Sequence, residues 1–443
     1  MKRASLHTIG CRLNQAETAV LASRLRQDGY HIVEFGEPTD LLVVNSCSVT
    51  TDAERTCRYV IRKTLKHSPE AFVAVTGCYA QTGIQNLRSL TGVDLIVGNQ
   101  FKWDLPALLP PPVELRKRPA PEVMHTKTIG RDEFNLPWYG DPGHARAPLK
   151  IQDGCNVMCS FCIIPFARGH ERSRSFADVL AEAGLLAAGG YREIVLTGVN
   201  IGAYRSGEHD LVDLLDRLEQ IEGLDRIRLS SIEPTTITTP LIERMSTSSK
   251  LCPYLHVPLQ SGDDDVLALM NRPYRLAEYV ALIEQALTAV PDLGLGTDVM
   301  IGFPGESDQA FRRTVQTVEA LPFSYLHVFP YSERPGTAAA KLRDKVPSSV
   351  ANERTRAATE LSRVKKLAFA ERWIGSTVPV LFESGMTDGL RLGTTPHFLK
   401  VGVVSVSDLA HQVENVLITG VTDRCAVGHL GESRSTNRLV PVI

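Results

Sequence analysis

Cys155, Cys159 and Cys162 fall within eight residues, spaced C-x3-C-x2-C, on a short loop that follows an apparent strand at 149–152. Three thiolates this close can wrap one metal centre, and soft sulfur ligands favour an iron–sulfur cluster or zinc over hard cations. A structural zinc site wants a fourth Cys or His at similar spacing, and the nearest, His170, has no partner pattern. A cubane cluster held by three cysteines is the better fit. It leaves one iron without a protein ligand, free to bind a small molecule.

The chain around this loop alternates short apolar runs with helical periodicity. Strands are expected at 149–152, 193–198, 227–231, 254–259, 294–302 and 325–331, with helices at 176–188, 211–221, 240–246, 277–289 and 308–321. Six such units predict a parallel, partly open (β/α)6 barrel with its chemistry at the C-terminal strand ends. The cysteine loop sits at the first of those ends. The later ends carry Asn200, Glu233, His256 with Gln260, Asp298, and Tyr331 with Arg334. Glycines in GVNIG and GFPGE let backbone approach a ligand closely. Together they predict a ligand-binding rim.

The N-terminal part has the same rhythm, with strands expected at 6–10, 30–35, 41–45, 72–76 and 95–98 and helices at 14–28, 52–66 and 81–90. This is the pattern of a parallel α/β sheet covered on both faces. Cys11, Cys47 and Cys78 each lie just past a strand, and strand ends of one parallel sheet converge. They predict a second three-cysteine cluster, again with an open iron. Cys57, inside a helix, reads as a packing residue. Arg55, Arg58, Arg62 and Lys66 share one face of that helix, either solvated or turned to phosphates.

From about 106 to 148 proline replaces periodicity, and a linker is expected over 111–140, between an N-terminal domain (1–110) and the barrel domain (141–372). Between 351 and 372 six Arg or Lys face three Glu, so the helix there is either ordinarily charged or turned to nucleic acid. Residues 373–443 are β-branched and glycine-rich, with strands expected within STVPVLFES, HFLKVGVVSV, NVLITGVTD and NRLVPVI. They predict a small antiparallel β-barrel, a shape that can bind single-stranded nucleic acid. His397 and Phe398 could stack on bases there or belong to a half-buried strand. A net charge of −2 does not advertise nucleic-acid binding, so any such role rests on local patches. Nine cysteines argue for metal or redox use rather than disulfides. Without a leader or an apolar run of membrane-spanning length, a cytoplasmic protein with no membrane partner is expected.

GCNVMCSFCIIPFARG, with Phe161 before its last cysteine, resembles the signature of the radical S-adenosylmethionine superfamily. TIGCRLNQAE, NSCSVT and VTGCYAQ resemble the three cysteine motifs of its methylthiotransferase family, and LTGVNIGAY, LHVPLQSG and TDVMIGFPGE its radical domain. The C-terminal part resembles the family's TRAM barrel, to which substrate RNA binding is attributed. The resemblance implies two [4Fe-4S] clusters, with Cys155, Cys159 and Cys162 holding the one that cleaves S-adenosylmethionine to a 5′-deoxyadenosyl radical. It implies that Cys11, Cys47 and Cys78 hold the one that delivers sulfur, with Asn200, Glu233, Gln260 and Asp298 around S-adenosylmethionine. A reductant such as flavodoxin or ferredoxin and a sulfur donor are implied partners.

Branches of the family act on isopentenyl-adenosine in tRNA, on threonylcarbamoyl-adenosine in tRNA, or on an aspartate of a ribosomal protein. TIGCRLNQAE with NSCSVTTDAER looks most like the threonylcarbamoyl branch, whose pattern is close to T-L-G-C-K-V-N-Q-x-E. Ile9, Arg12 and Leu13 depart from it conservatively, as do Ser46 and Ser48 from the branch's second pattern, close to N-T-C-T-V-T-x-x-A-E. That branch adds methylthio at C2 of N6-threonylcarbamoyladenosine 37 in the tRNA anticodon stem-loop. A non-catalytic iron–sulfur RNA-binding module is the competing class, but it gives no reason for an open iron beside a polar rim.

Overall fold

Leu41–Ser46 and Phe72–Gly77 are buried at every residue, as the central strands of a parallel sheet with both faces covered must be. The computed structural model describes residues 1–134, 136 and 145–431. Its first sheet comprises β1 (Arg3–Thr8), β2 (His31–Val33), β3 (Leu41–Ser46), β4 (Phe72–Gly77), β5 (Leu95–Val97) and β6 (Glu122–Met124), in the order β2-β1-β3-β4-β5-β6. All of its pairings are parallel. Helices α1 (Arg12–Gln27) and α2 (Thr51–His67) follow β1 and β3. Cys57 is wholly buried under α2, a packing residue.

Two features differ from the sequence expectation. The helix expected over 81–90 divides at Gly83 into α3 (Cys78–Thr82) and a second turn, Ile84–Arg88. At Gly83 a Cβ would lie 2.1 Å from the Tyr79 ring, so the ring takes the space a continuing side chain needs. Within the stretch read as linker, Glu122–Met124 adds β6 to the sheet edge. Three partly exposed residues carry too little pattern to announce a strand.

The expected partly open barrel is present. Its strands are β7 (Arg146–Lys150), β8 (Glu193–Thr197), β9 (Arg226–Leu229), β10 (Tyr254–His256), β11 (Gly294–Ile301) and β12 (Tyr325–Pro330). They form two parallel three-stranded sheets, β9-β8-β7 and β10-β11-β12. Parallel bridges Ile227–Leu251 and Ser231–His256 join the two, so the six strands run in chain order. Helices Phe176–Ala188, Leu211–Glu219, Thr239–Thr247, Leu276–Ala289 and Asp308–Ala320 contribute residues such as Val179, Leu214 and Ile283 to one core with Leu149, Leu196 and Leu295.

A long helix, Ser348–Glu371, leads into a closed barrel of β13 (Thr377–Phe382), β14 (Arg391–Thr394), β15 (Lys400–Val403), β16 (Val413–Val421) and β17 (Ala426–Leu430). Its pairings are antiparallel except β15 with β17, which run parallel. The strand expected within NRLVPVI lies outside the described residues. His397 and Phe398 precede β15 in a turn, Phe398 with φ +67°. That turn docks on the central barrel. Arg226 donates to the carbonyls of Thr394 (3.1 Å) and Pro379 (3.0 Å), and Arg228 to those of Pro396 (2.8 Å) and Thr395 (3.0 Å). Phe398 packs 4.7 Å from the Tyr254 ring. The stacking partner of Phe398 is thus protein, not a base.

The long helix also commits most of its cations. Arg354 pairs with Glu306 and Asp308, Arg363 with Glu360, and Lys365 and Lys366 donate to backbone carbonyls. Among the described residues no helix is long and apolar enough to cross a membrane.

The N-terminal sheet is fastened to the barrel by buried ions. Glu17 on α1 accepts from Lys102 (2.5 Å), Lys150 (2.7 Å) and Arg168 (2.9 Å). Asp153 takes Lys150 (2.8 Å), Arg168 (3.0 Å) and Arg172 (3.3 Å). Burial alone would raise the Glu17 pKa, but Arg168, Lys102 and Lys150 outweigh it and hold the carboxyl well below its usual range. Glu17→Ala leaves three buried cations short of a counter-charge and is expected to cost about 3–5 kcal/mol in urea unfolding at neutral pH. Because the folded pKa is depressed, that contribution is complete above the unfolded value of about 4.3 and disappears only as pH falls through the folded one. A cost below about 1 kcal/mol would show that the network does not fasten the fold.

Candidate functional site

Cys11, Cys47 and Cys78 follow β1, β3 and β4, three neighbours in one sheet, so their thiols meet at its carboxyl edge. Gly10 (φ +105°) allows the approach, since a Cβ there would stand 2.7 Å from Cys47 Cβ and 2.9 Å from its Sγ. Gly77 (φ +94°) does the same for Cys78, where a Cβ would meet the Ser46 carbonyl at 2.3 Å. Cys11 is exposed, whereas Cys47 and Cys78 are buried. Burial, with Cys78 as a neighbouring charge, pushes the Cys47 thiol up to about 12. A metal centre binding there must displace those protons. Around the thiols, Asn45 Oδ1, Ser48 Oγ, Thr76 Oγ1 and Asn99 Oδ1 are buried without a hydrogen-bond partner among the described residues.

The second triad lies beyond β7. Gly154 (φ +72°) turns the chain where a Cβ would collide with the His170 carbonyl at 1.9 Å. The backbone N–H of Val157 donates to Cys155 Sγ and that of Ile164 to Cys162 Sγ, each at 3.4 Å. Arg272 donates to Cys159 Sγ at 3.0 Å and pairs with Glu233. Burial pushes Cys155 to about 11 and Cys162 to about 12. Phe161 packs edge-on against Phe303, 6.3 Å between centroids, which pins the loop to the rim.

The rim residues divide by what they already hold. Asn200 Oδ1 accepts from the Glu233 N–H (3.2 Å) and Thr236 Oγ1 (3.0 Å), so it braces the next loop. Asp298 meets His256 at 3.0 Å and His327 at 3.5 Å, and these histidines hold its carboxyl low against the opposing effect of burial. Gln260, at φ +63°, leaves Oε1 buried and unpartnered. Thr197 Oγ1, Ser230 Oγ and Tyr331 OH share that state at the ends of β8, β9 and β12. Buried polar atoms normally find partners, so this ring suits a polar ligand held across the rim.

Sequence reasoning missed Arg168, Arg272, Asn14 and Asn99. Arg168 donates to Asn14 Oδ1 at 2.5 Å, and Asn14 donates to the carbonyls of Ile9 (2.7 Å) and Ser46 (3.1 Å) beside the first triad. Asn99 donates to the Ala167 carbonyl at 2.6 Å. Arg168 and Asn14 stood inside the quoted cysteine motifs, and nothing in the spacing paired them. On α2, Arg58 turns to the Tyr79 hydroxyl (3.1 Å), while Arg55, Tyr59, Arg62 and Lys66 form an exposed stripe.

Among the described residues no three His, Cys, Asp or Glu side chains converge tightly enough for a single metal ion. A cubane spaces its thiolates much farther apart than one ion does. The donor chemistry fits it: three soft sulfurs at each site, glycines where Cβ atoms would intrude, and buried cations nearby for an anionic thiolate cluster.

Residues 149–318 match the Radical SAM superfamily, and residues 3–98 match a family described as Uncharacterized protein family UPF0004. The chain is 35% identical over 427 residues, 94% of each chain, to the Threonylcarbamoyladenosine tRNA methylthiotransferase MtaB of Bacillus subtilis. It is 37% identical to the Aquifex aeolicus protein of the same name, covering 86% of this chain and 92% of the other. A tRNA-2-methylthio-N(6)-dimethylallyladenosine synthase from Syntrophus aciditrophicus is 33% identical over 94% of this chain and 92% of its own. Among solved structures, the radical S-adenosylmethionine methyltransferase TsrM from Kitasatospora setae aligns with a TM-score of 0.54 at 14% identity, covering 88% of this chain and 80% of that one. That likeness concerns the fold alone. With more than a third of its residues shared across nearly the full length of such relatives, the chain belongs to the radical S-adenosylmethionine methylthiotransferase family.

Proposed function

We propose that the chain transfers a methylthio group to C2 of N6-threonylcarbamoyladenosine at position 37 of tRNA. The observation that carries this reading is the full-length similarity to proteins of that name, joined to two thiol triads at the strand ends of two α/β units. As a family member the chain uses S-adenosylmethionine and [4Fe-4S] clusters.

We assign Cys155, Cys159 and Cys162 to the radical cluster and Cys11, Cys47 and Cys78 to the sulfur-delivering one, within domains 141–372 and 1–110. When bound, these groups supply a carbon-centred radical and the transferred sulfur. The chain's own side chains do the rest. Arg272 steadies Cys159 and positions Glu233 on the rim, and the unpartnered Gln260, Thr197 and Ser230 offer S-adenosylmethionine its polar contacts. Asn200 and Asp298 shape that rim by bracing neighbouring loops. The barrel wall excludes water from a reactive carbon radical. Beyond the rim, the exposed α2 stripe, Arg55, Tyr59, Arg62 and Lys66, offers the anticodon stem-loop phosphate contacts and one stacking ring. A reductant such as flavodoxin or ferredoxin and a sulfur donor complete the cycle in the cytoplasm.

Reconstituted without oxygen, the protein should carry about eight irons, as two cubanes. Replacing Cys155, Cys159 and Cys162 with alanine should remove about half, and replacing the other three as well should remove the rest. Full iron content in a variant lacking only Cys11, Cys47 and Cys78 would sink the second cluster.

The dimethylallyladenosine relative, at 33% identity, keeps a second substrate in view. Nucleoside mass spectrometry of tRNA from a deletion strain separates the two. Loss of the 2-methylthio form with build-up of threonylcarbamoyladenosine is expected. Loss of the methylthiolated isopentenyl nucleoside instead would assign the chain to the other branch.

A further inference from the structure

Arg12 follows the first N-terminal cysteine, yet its guanidinium turns away toward the central barrel. There it lies 5.1 Å from the centre of the Phe398 ring. Among the described residues it makes no hydrogen bond and no ion pair. Its cationic neighbours are all committed. Arg146 pairs with Glu383 at 2.5 Å, and Arg228 with Glu193 at 2.6 Å. A guanidinium in such company is short of an anion.

Arg12 is nonetheless open to water, because it borders a cavity of about 810 Å³ between α1 and strands β7 and β8. Gln15, Thr18, Arg146 and Thr197 share the lining, and Thr197 Oγ1 is one of the unpartnered buried atoms. The volume falls within the range of small-molecule pockets. Aromatic rings stand nearby: Arg12 acts electrostatically on Tyr254 and Tyr325, and Tyr325 stacks with His327 at 6.5 Å on β12. The Phe398 face holds the guanidinium from one side and leaves its N–H edge free to fork onto a carboxylate.

The two candidate nucleosides differ in the group such an edge would recognise. A threonylcarbamoyl substituent ends in a carboxylate, ionised at neutral pH, whereas a dimethylallyl substituent is a neutral hydrocarbon. We propose that Arg12 receives the threonyl carboxylate of the substrate nucleoside and selects this adenosine over those with uncharged substituents. The proposal rests on the substrate reading above. Its other source of an anion is an RNA backbone phosphate, and the two make different demands on a test.

The test measures binding of the reconstituted full-length protein to three anticodon stem-loops by fluorescence anisotropy. One carries threonylcarbamoyladenosine at position 37, one its threonyl methyl ester, and one dimethylallyladenosine. Wild-type protein should bind the free acid roughly ten- to hundredfold more tightly than the ester, the worth of a charge-assisted hydrogen bond. Arg12→Gln should erase that difference, and Arg12→Lys, which keeps the charge without the fork, should restore part of it. Iron content and unfolding midpoint verify that each variant is intact, and the acid-to-ester comparison in wild-type protein needs no variant. No acid-to-ester difference in wild-type protein overturns the proposal, as does one that survives in Arg12→Gln. An equal loss for acid and ester loops in Arg12→Gln overturns it in favour of a backbone phosphate. Tighter wild-type binding to the dimethylallyl loop than to either other loop instead defeats the substrate reading itself.

Discussion

Glu17 is the carboxylate on which the two halves of the chemistry depend. It lies six residues after Cys11 on α1, and its partner Arg168 lies six residues after Cys162, so one buried contact sets both cysteine loops against each other. Lys102, from the turn after β5, and Lys150, from the end of β7, draw the sheet edge and the barrel strand to the same point. Such a cluster is weak as a source of stability when compared with a packed apolar core. Its value is geometric. A carboxylate shared among three cations has one arrangement that satisfies all of them, and the sulfur-delivering and radical clusters proposed for the two domains need a single fixed relation.

The charges in that seam do not cancel. Among the described residues, Lys102, Lys150, Arg168 and Arg172 pair only with Glu17 and Asp153. Arg168 and Lys102 also act electrostatically on Cys78. Without a metal the buried Cys47 thiol stays protonated, because burial disfavours the thiolate. Three thiolates around iron–sulfur form an anionic group, and the surplus cations are the counter-charge such a group requires. In the proposed assignment, the seam that joins the domains thus also supplies counter-charge to the N-terminal cluster.

What was legible in the sequence and what was not follow from the range of each interaction. Strands such as Leu41–Ser46 announce themselves because both faces are buried and the run is continuously apolar. Cysteines just past those strands can then be placed together from topology alone. β6 could not be read, because its three partly exposed residues gain their place only from β5. The seam is equally silent, since Glu17 and Arg168 are 151 positions apart and ordinary charged residues where they stand. The turn at Thr395–Phe398 stayed open between two readings for a related reason. Its aromatic pair has the composition of a nucleic-acid contact, but Arg226 and Arg228 claim the surrounding carbonyls and Tyr254 claims the ring.

That turn changes what the C-terminal barrel is for. Its own core, around Val380, Val401, Val416 and Ile418, takes in Phe369 and Ala370 from the end of the long helix. Yet the β14–β15 connection inserts four residues against the first residues of β9 and β10, at the end of the central barrel opposite the cysteine loop. A lumen that must hold a radical has to be closed at both ends. The cysteine loop and rim border one end, and the turn lies across the other. Helix α1, packed along β7, lies over part of the flank that six strands of an eight-strand barrel leave open, with the cavity beside Arg12 between them. Each of the three parts thus borders the chamber on a different side.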